Sequence, residues 1–129
     1  MGRGRPGRRT RHRGAVRWLA LHIGGQKWGV YLVAPKSKLL SDHTTRVSED
    51  ERSVGRCDFA RCRIYIARDI DDQAREDTLL HELLHALMHV AGVNACRSTK
   101  AEEDLVRALT PLLHRLLKDL GFQFPKGTS

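Results

Sequence analysis

The 129-residue chain lacks acid where it begins. Residues 1–41 hold ten Lys or Arg and no Asp or Glu, whereas residues 42–129 hold 13 Lys or Arg and 15 Asp or Glu. The net charge of +8 is thus an N-terminal property, and the remainder is slightly acidic. No run approaches the ~20 apolar residues that a membrane span needs, so no membrane partner is expected. No secretory leader is expected, because Arg17 and His22 interrupt the apolar stretch from Ala15 to Ile23. Cysteine is scarce and odd in number: Cys57, Cys62 and Cys96. That argues against a disulfide framework and for reduced thiols in a cytoplasm-like compartment. No internal repeat is visible.

What is there divides the chain into three. Residues 1–14 carry Arg3, Arg5, Arg8, Arg9, Arg11 and Arg13 among Gly and Pro, with no apolar residue after Met1. They read as a disordered basic arm that could meet a nucleic acid or stay solvated. Residues 15–121 suffice for one domain with one core, and residues 122–129 read as a tail. Within the domain, Val16–Ile23 and Trp28–Val33 read as a hairpin about Gly24 to Lys27. Lys36 to Glu51 reads as a loop. Val54–Phe59 and Arg63–Ala67 read as a second strand pair, the latter half-buried by alternation of Ile64 and Ile66 with Arg63, Tyr65 and Ala67. Ala74–Ala91 is strongly helical, with Asp71 or Asp72 as its N-cap and Gly92 just past its end. A second helix spans about Lys100–Leu120 with Pro111 inside it; the apolar phase continues across the proline, which favours one kinked helix. Trp18 and Trp28 read as core.

The first helix carries His81-Glu82-Leu83-Leu84-His85, an H-E-x-x-H pattern. Residues four apart lie on one helix face, so both imidazoles can point at one ion, and Glu82 stands beside them. A hydrolytic zinc site commonly has three protein ligands and one open position. His89 lies about 12 Å along the axis from His81 at 1.5 Å per residue, too far to share an ion held by His81 and His85. Met88 and Ala91 break the longer H-E-x-x-H-x-x-G-x-x-H pattern.

The second helix offers Glu102, Glu103 and Asp104. With Leu109 at zero and about 100° per residue, the apolar stripe spans about −60° to +80°. On that wheel Glu102 falls near +20°, Glu103 near 120° and Asp104 near −140°. If the stripe faces inward, Glu102 is the third ligand, with Glu103 as second choice and a Thr99–Glu102 capping box as the bland alternative. His114, near 140°, should then be exposed. One zinc ion held by His81, His85 and Glu102, with Glu82 as general base for a metal-activated water, is the chemistry this predicts. Cys57-x4-Cys62 reads as two residues flanking a hairpin turn, and Tyr31 and Tyr65 as sheet packing residues.

The stretch Thr78 to Leu120, with its His-Glu-Leu-Leu-His run and the following Glu-Glu-Asp-Leu-Val-Arg-Ala-Leu, resembles small gluzincin-type metallopeptidases of bacteria and phages, related to the ImmA/IrrE group. It departs from that group's usual E-x-x-A-N/D-x-F-A stretch at the Ala and Phe positions. The resemblance implies an α+β fold of minimal zincin type: a small antiparallel sheet, an active-site helix and a second helix carrying the acidic ligand. It implies an edge strand at Arg63–Ala67 with which an extended peptide substrate could pair. It also implies a zinc peptidase of the bacterial or phage-infected cytoplasm, acting on a repressor or DNA-associated protein. The competing expectation is a non-catalytic zinc-binding module that binds nucleic acid or protein through Arg3 to Arg13. Oligomeric state is left open.

Overall fold

The structure, a computed structural model, describes residues 14–35, 37–40, 54–93 and 99–126. The basic arm, Cys96 and most of the 36–51 loop lie outside the described residues. The elements in order are β1 (Val16–Ile23), β2 (Gln26–Val33), a 3-10 turn (Lys38–Leu40), β3 (Gly55–Asp58), β4 (Arg63–Ala67), α1 (Asp72–Ala91) and α2 (Thr99–Asp119). The class is α+β, as expected, but the sheet is mixed and not antiparallel. Its order is β1-β2-β4-β3. Both hairpins, β1–β2 and β3–β4, are antiparallel, while β2 and β4 run parallel.

The reason lies in β4. Ile64, Tyr65, Ile66 and Ala67 are all buried, so this strand is not the half-buried one its alternation suggested. A strand buried on both faces belongs inside a sheet. Ile64 and Ile66 face α1 with Trp28, Val30, Leu32, Leu79 and Ala86. Tyr65 and Ala67 face the other way and are covered, with Val33, by Leu40 of the 3-10 turn. That cover sits in the stretch read as plain loop. The short, polar β3 therefore takes the outer edge, and the expected edge strand at Arg63–Ala67 is interior.

The β1–β2 turn is tighter than expected, Gly24-Gly25, both at positive φ (59° and 83°). This suits the twist of a two-residue hairpin. α1 is capped by Asp71, whose Oδ1 accepts from Ala74 N at 2.8 Å, an interaction worth about 1 kcal/mol. Gly92 closes its C-terminus in the left-handed conformation. α2 runs unbroken through Pro111. Trp28 is core, as expected; Trp18 is only partly buried, and its indole N–H donates to the Lys126 carbonyl at 2.9 Å. Among the described residues, no helix is long and apolar enough to cross a membrane.

The apolar stripe of α2 does not face inward. Val106, Thr110 and His114 are buried, while Leu109 (39%), Leu112 (69%), Leu116 (54%) and Leu120 (74%) are exposed. On the wheel above, the packed face centres near 100°, about a quarter turn from the leucines. The seam between α1 and α2 is largely polar. His114, expected at the surface, is held inside it: Nε2 lies 2.8 Å from Glu76 Oε1 and Nδ1 lies 2.5 Å from Asp77 Oδ1.

Candidate metal centre

Two helices and the edge strand build the site. The face of α1 that carries Thr78, Glu82 and Ala86 turns toward the sheet, and these three residues are buried. His81 and His85 turn toward α2, their rings 5.0 Å apart. The quarter-turn rotation of α2 brings Glu103 opposite them. Its Oε1 lies 3.3 Å from His81 Nε2 and 2.8 Å from His85 Nε2. Its Oε2 accepts from Arg107 Nε at 2.9 Å, one helical turn on, which fixes the carboxylate's orientation. Among the described residues, one group of His, Cys, Asp or Glu side chains has ligand atoms close enough to hold a metal ion. It is His81, His85 and Glu103, with those atoms within 4.8 Å of one another.

Glu102, the first choice on the wheel, is not in that group. Its Oε2 sits 2.5 Å from His85 Nδ1, the ring nitrogen on the far side from Glu103. The wheel angles were sound; the assumption that leucines mark the inward face was not. The Glu102 carboxylate is engaged with His85; the Thr99 side chain of the capping-box alternative lies outside what is described. His89 stays out of the site and stacks on Phe59 at 4.3 Å.

The donor set fits a metal ion. Ligands about 2.0–2.2 Å from a tetrahedral zinc stand roughly 3.3–3.5 Å apart. The His81–Glu103 distance already matches, and the His85–Glu103 contact needs to open by about half an ångström. A carboxylate on the outer ring nitrogen of a ligating histidine, as Glu102 is on His85, is the usual support for such a ligand.

Electrostatics sharpen the picture. Burial opposes a charged His85, but hydrogen bonds that its ring donates to Glu102 and Glu103 outweigh it and raise its pKa. Burial would raise the pKa of Glu103, yet the His85 hydrogen bond and the charge of His81 lower it. His81, desolvated by burial, has its pKa lowered. Glu82 is only 8% exposed, and burial pushes its pKa up to about 7. This places a proton acceptor near neutrality beside the cluster.

Glu82 has room because Gly55 has no side chain. A Cβ at Gly55 would lie 2.5 Å from Thr78 Cγ2 and 3.1 Å from Glu82 Oε2. Thr78 cannot swing away easily, since its hydroxyl donates to the Ala74 carbonyl at 2.7 Å. Gly55→Ala is therefore expected to cost about 1–3 kcal/mol, read as a lowered denaturation midpoint. An unchanged midpoint would mean that β3 is free to move off α1. The cleft in front of the cluster holds about 450 Å³ and is lined by Val54, Gly55, Thr78, His81, Glu82, Glu103 and Arg107 among others.

The remaining candidates fall elsewhere. Tyr31 and Tyr65 pack on each other at 6.0 Å, on the sheet face away from α1. Cys57 and Cys62 flank the β3–β4 turn. Burial, with the charges of Glu82 and Asp58 behind it, pushes the Cys57 thiol far up and keeps it neutral. Sequence reasoning missed Gly55, Arg107 and the supporting position of Glu102. Of these only Arg107 left a signal, as the cation four residues after Glu103. No protein-family model, curated protein or solved structure matches the chain.

Proposed function

We propose that the chain is a zinc-dependent peptidase of the gluzincin type, with one ion held by His81, His85 and Glu103 and with Glu82 as general base. The observation that carries this reading is the convergence of three ligand atoms within 4.8 Å, beside a buried carboxylate whose pKa lies near 7. Among the described residues two imidazoles and one carboxylate converge, which leaves a fourth position for a water or substrate, as in catalytic sites. A zinc ion bound there supplies a Lewis acid that polarises a carbonyl and acidifies a water.

The chain's own residues do the rest. Glu82 takes the proton of the attacking water and returns it to the departing amine. Glu102 holds the His85 ring in one orientation. Arg107 fixes Glu103 and brings a positive charge to the mouth of the cleft. The outer strand β3 borders the cleft at Gly55, and an extended peptide would lie along it. A repressor or other DNA-associated protein is the substrate class proposed. The test is mass-spectrometric detection of new peptide ends after incubating a proteome-derived peptide library with zinc-loaded chain. Equal cleavage by chelator-stripped chain would overturn the proposal.

Metal binding carries its own pH signature. A ligating histidine must be neutral, so zinc has to displace the proton that Glu102 and Glu103 hold on His85. Because that pKa is raised above 6.5, affinity should start to fall while the pH is still above 6.5. Below the raised pKa it should fall by about tenfold per pH unit. Calorimetry in buffers of different ionisation enthalpy should show proton release on zinc binding that grows as the pH is lowered toward 6.5. Release of none would mean that His85 is not a ligand.

A further inference from the structure

The leucine stripe of α2 is the largest feature that the metal site leaves unused. Leu109, Leu112, Leu116 and Leu120 are between 39% and 74% exposed and share one helix face with the partly buried Leu105. From Leu105 to Leu120 the stripe is about 22 Å long. A contiguous apolar strip of that size marks an interaction surface. The segments outside the described residues (1–13, 36, 41–53, 94–98 and 127–129) contain only Met1, Val47, Ala95 and Cys96 as apolar residues, too little to cover it.

We infer that this face pairs with the same face of a second copy, the two α2 helices running antiparallel across a two-fold axis. Spacing and charge both point to a copy of this chain. Leu105, Leu109, Leu112 and Leu116 are spaced four, three, four, which reads the same in both directions. A two-fold partner whose axis passes between Thr110 and Pro111 lays Leu105 against the copy's Leu116 and Leu109 against the copy's Leu112. It also sets Leu120 over the copy's Ala101. Such an isologous surface is self-complementary, as a closed dimer requires.

The charges of α2 are already spent. Lys100 pairs with Asp104, Glu103 with Arg107 and Arg115 with Asp119, each four residues on. Glu102 is on His85 and Lys118 is on Glu76. The helix therefore offers no unbalanced charge to recruit an oppositely charged partner, and none to repel its own copy. The flank beside the stripe carries Ala101 and Ala108, small enough for close approach, and then the Arg115–Asp119 pair. A single pair of facing helices buries a few hundred Å² per copy, below the ~800 Å² per partner of a standard interface. The dimer should thus be of micromolar strength and concentration-dependent. It lies on the side of α2 away from His81, His85 and Glu103, and it is independent of what those residues bind.

Sedimentation velocity of the full chain from about 1 to about 200 μM tests this. The expected result is a rising weight-average mass that approaches two chains. Leu112→Glu and, separately, Leu116→Glu should raise the dimer dissociation constant by at least about 100-fold. Both positions are exposed, so the variants should keep wild-type circular dichroism and denaturation midpoint. A wild-type chain that stays monomeric across the whole range would overturn the inference. So would a dimer that survives both substitutions.

Discussion

Glu82→Gln is expected to abolish hydrolysis, keep zinc and make the metal-free protein more stable above neutral pH. Loss of a general base costs about 10²–10⁴-fold in rate, while His81, His85 and Glu103 are untouched. The stability gain follows from burial. The Glu82 pKa stands at about 7 in the folded chain against an ordinary 4.5. Between those values the folded state holds a proton that the unfolded state has released, so unfolding free energy falls as pH rises through that window. Above about pH 7 the full penalty is present, roughly 3 kcal/mol for a shift of this size. Glutamine keeps the shape and cannot ionise. At pH 8 the metal-free variant should therefore unfold several degrees higher than the metal-free parent, and at pH 4 the two should coincide. Equal midpoints at pH 8 would mean that the carboxylate is better solvated than its burial indicates. Full peptidase activity in the variant would remove Glu82 from the mechanism.

A residue that costs stability where it stands is what a functional carboxylate looks like. The sequence shows it only in part. His81, Glu82 and His85 announce themselves because the helix period ties their spacing to one geometry. The start and end of α1 are equally legible, since Asp71 and Gly92 act through local backbone chemistry. Strands β1, β2 and β4 are legible for the same reason, being runs rich in β-branched, aromatic and other apolar residues bounded by turn residues, whereas Gly55–Asp58 is Gly-Arg-Cys-Asp and has no such run of its own. Sheet order is not local. Nothing within Arg63–Ala67 says that Leu40, more than twenty residues earlier, will cover Tyr65 and make this strand interior. The parallel pairing of β2 with β4 is likewise a contact between segments distant in the chain.

The orientation of α2 is the more instructive failure. An amphipathic helix is ordinarily assumed to bury its leucines. Here the seam with α1 is occupied by His85 with Glu102 and Glu103, and by His114 with Glu76 and Asp77. These polar groups hold the seam because each finds a partner across it on the other helix. The leucines are left on another face. A periodicity argument finds the stripe correctly, but it cannot say whether the stripe faces this chain or another one.

The division of labour between the adjacent glutamates has the second large consequence. Glu103→Gln is expected to weaken zinc binding far more than Glu102→Gln. Structural zinc sites gain about 10–16 kcal/mol over four ligands, so one ligand represents roughly 3 kcal/mol, or 10²–10³-fold in affinity. Loss of a carboxylate that merely supports a ligating histidine costs about 10–100-fold. Even that overstates the effect of Glu102→Gln, because an amide oxygen can still accept from His85 Nδ1. Glu102→Ala removes the acceptor altogether and should fall at the upper end of that range. The expected order of loss, by competition with a chromophoric chelator, is Glu103→Gln, then Glu102→Ala, then Glu102→Gln. If Glu102 were the ligand, as the leucine stripe alone suggests, Glu102→Gln would head the series and Glu103→Gln would be mild. The reversed order would also mean that α2 turns by about a quarter on binding metal, carrying Val106 and His114 out of the seam. The same titration therefore reports which carboxylate holds the ion and whether the polar seam stays closed around it.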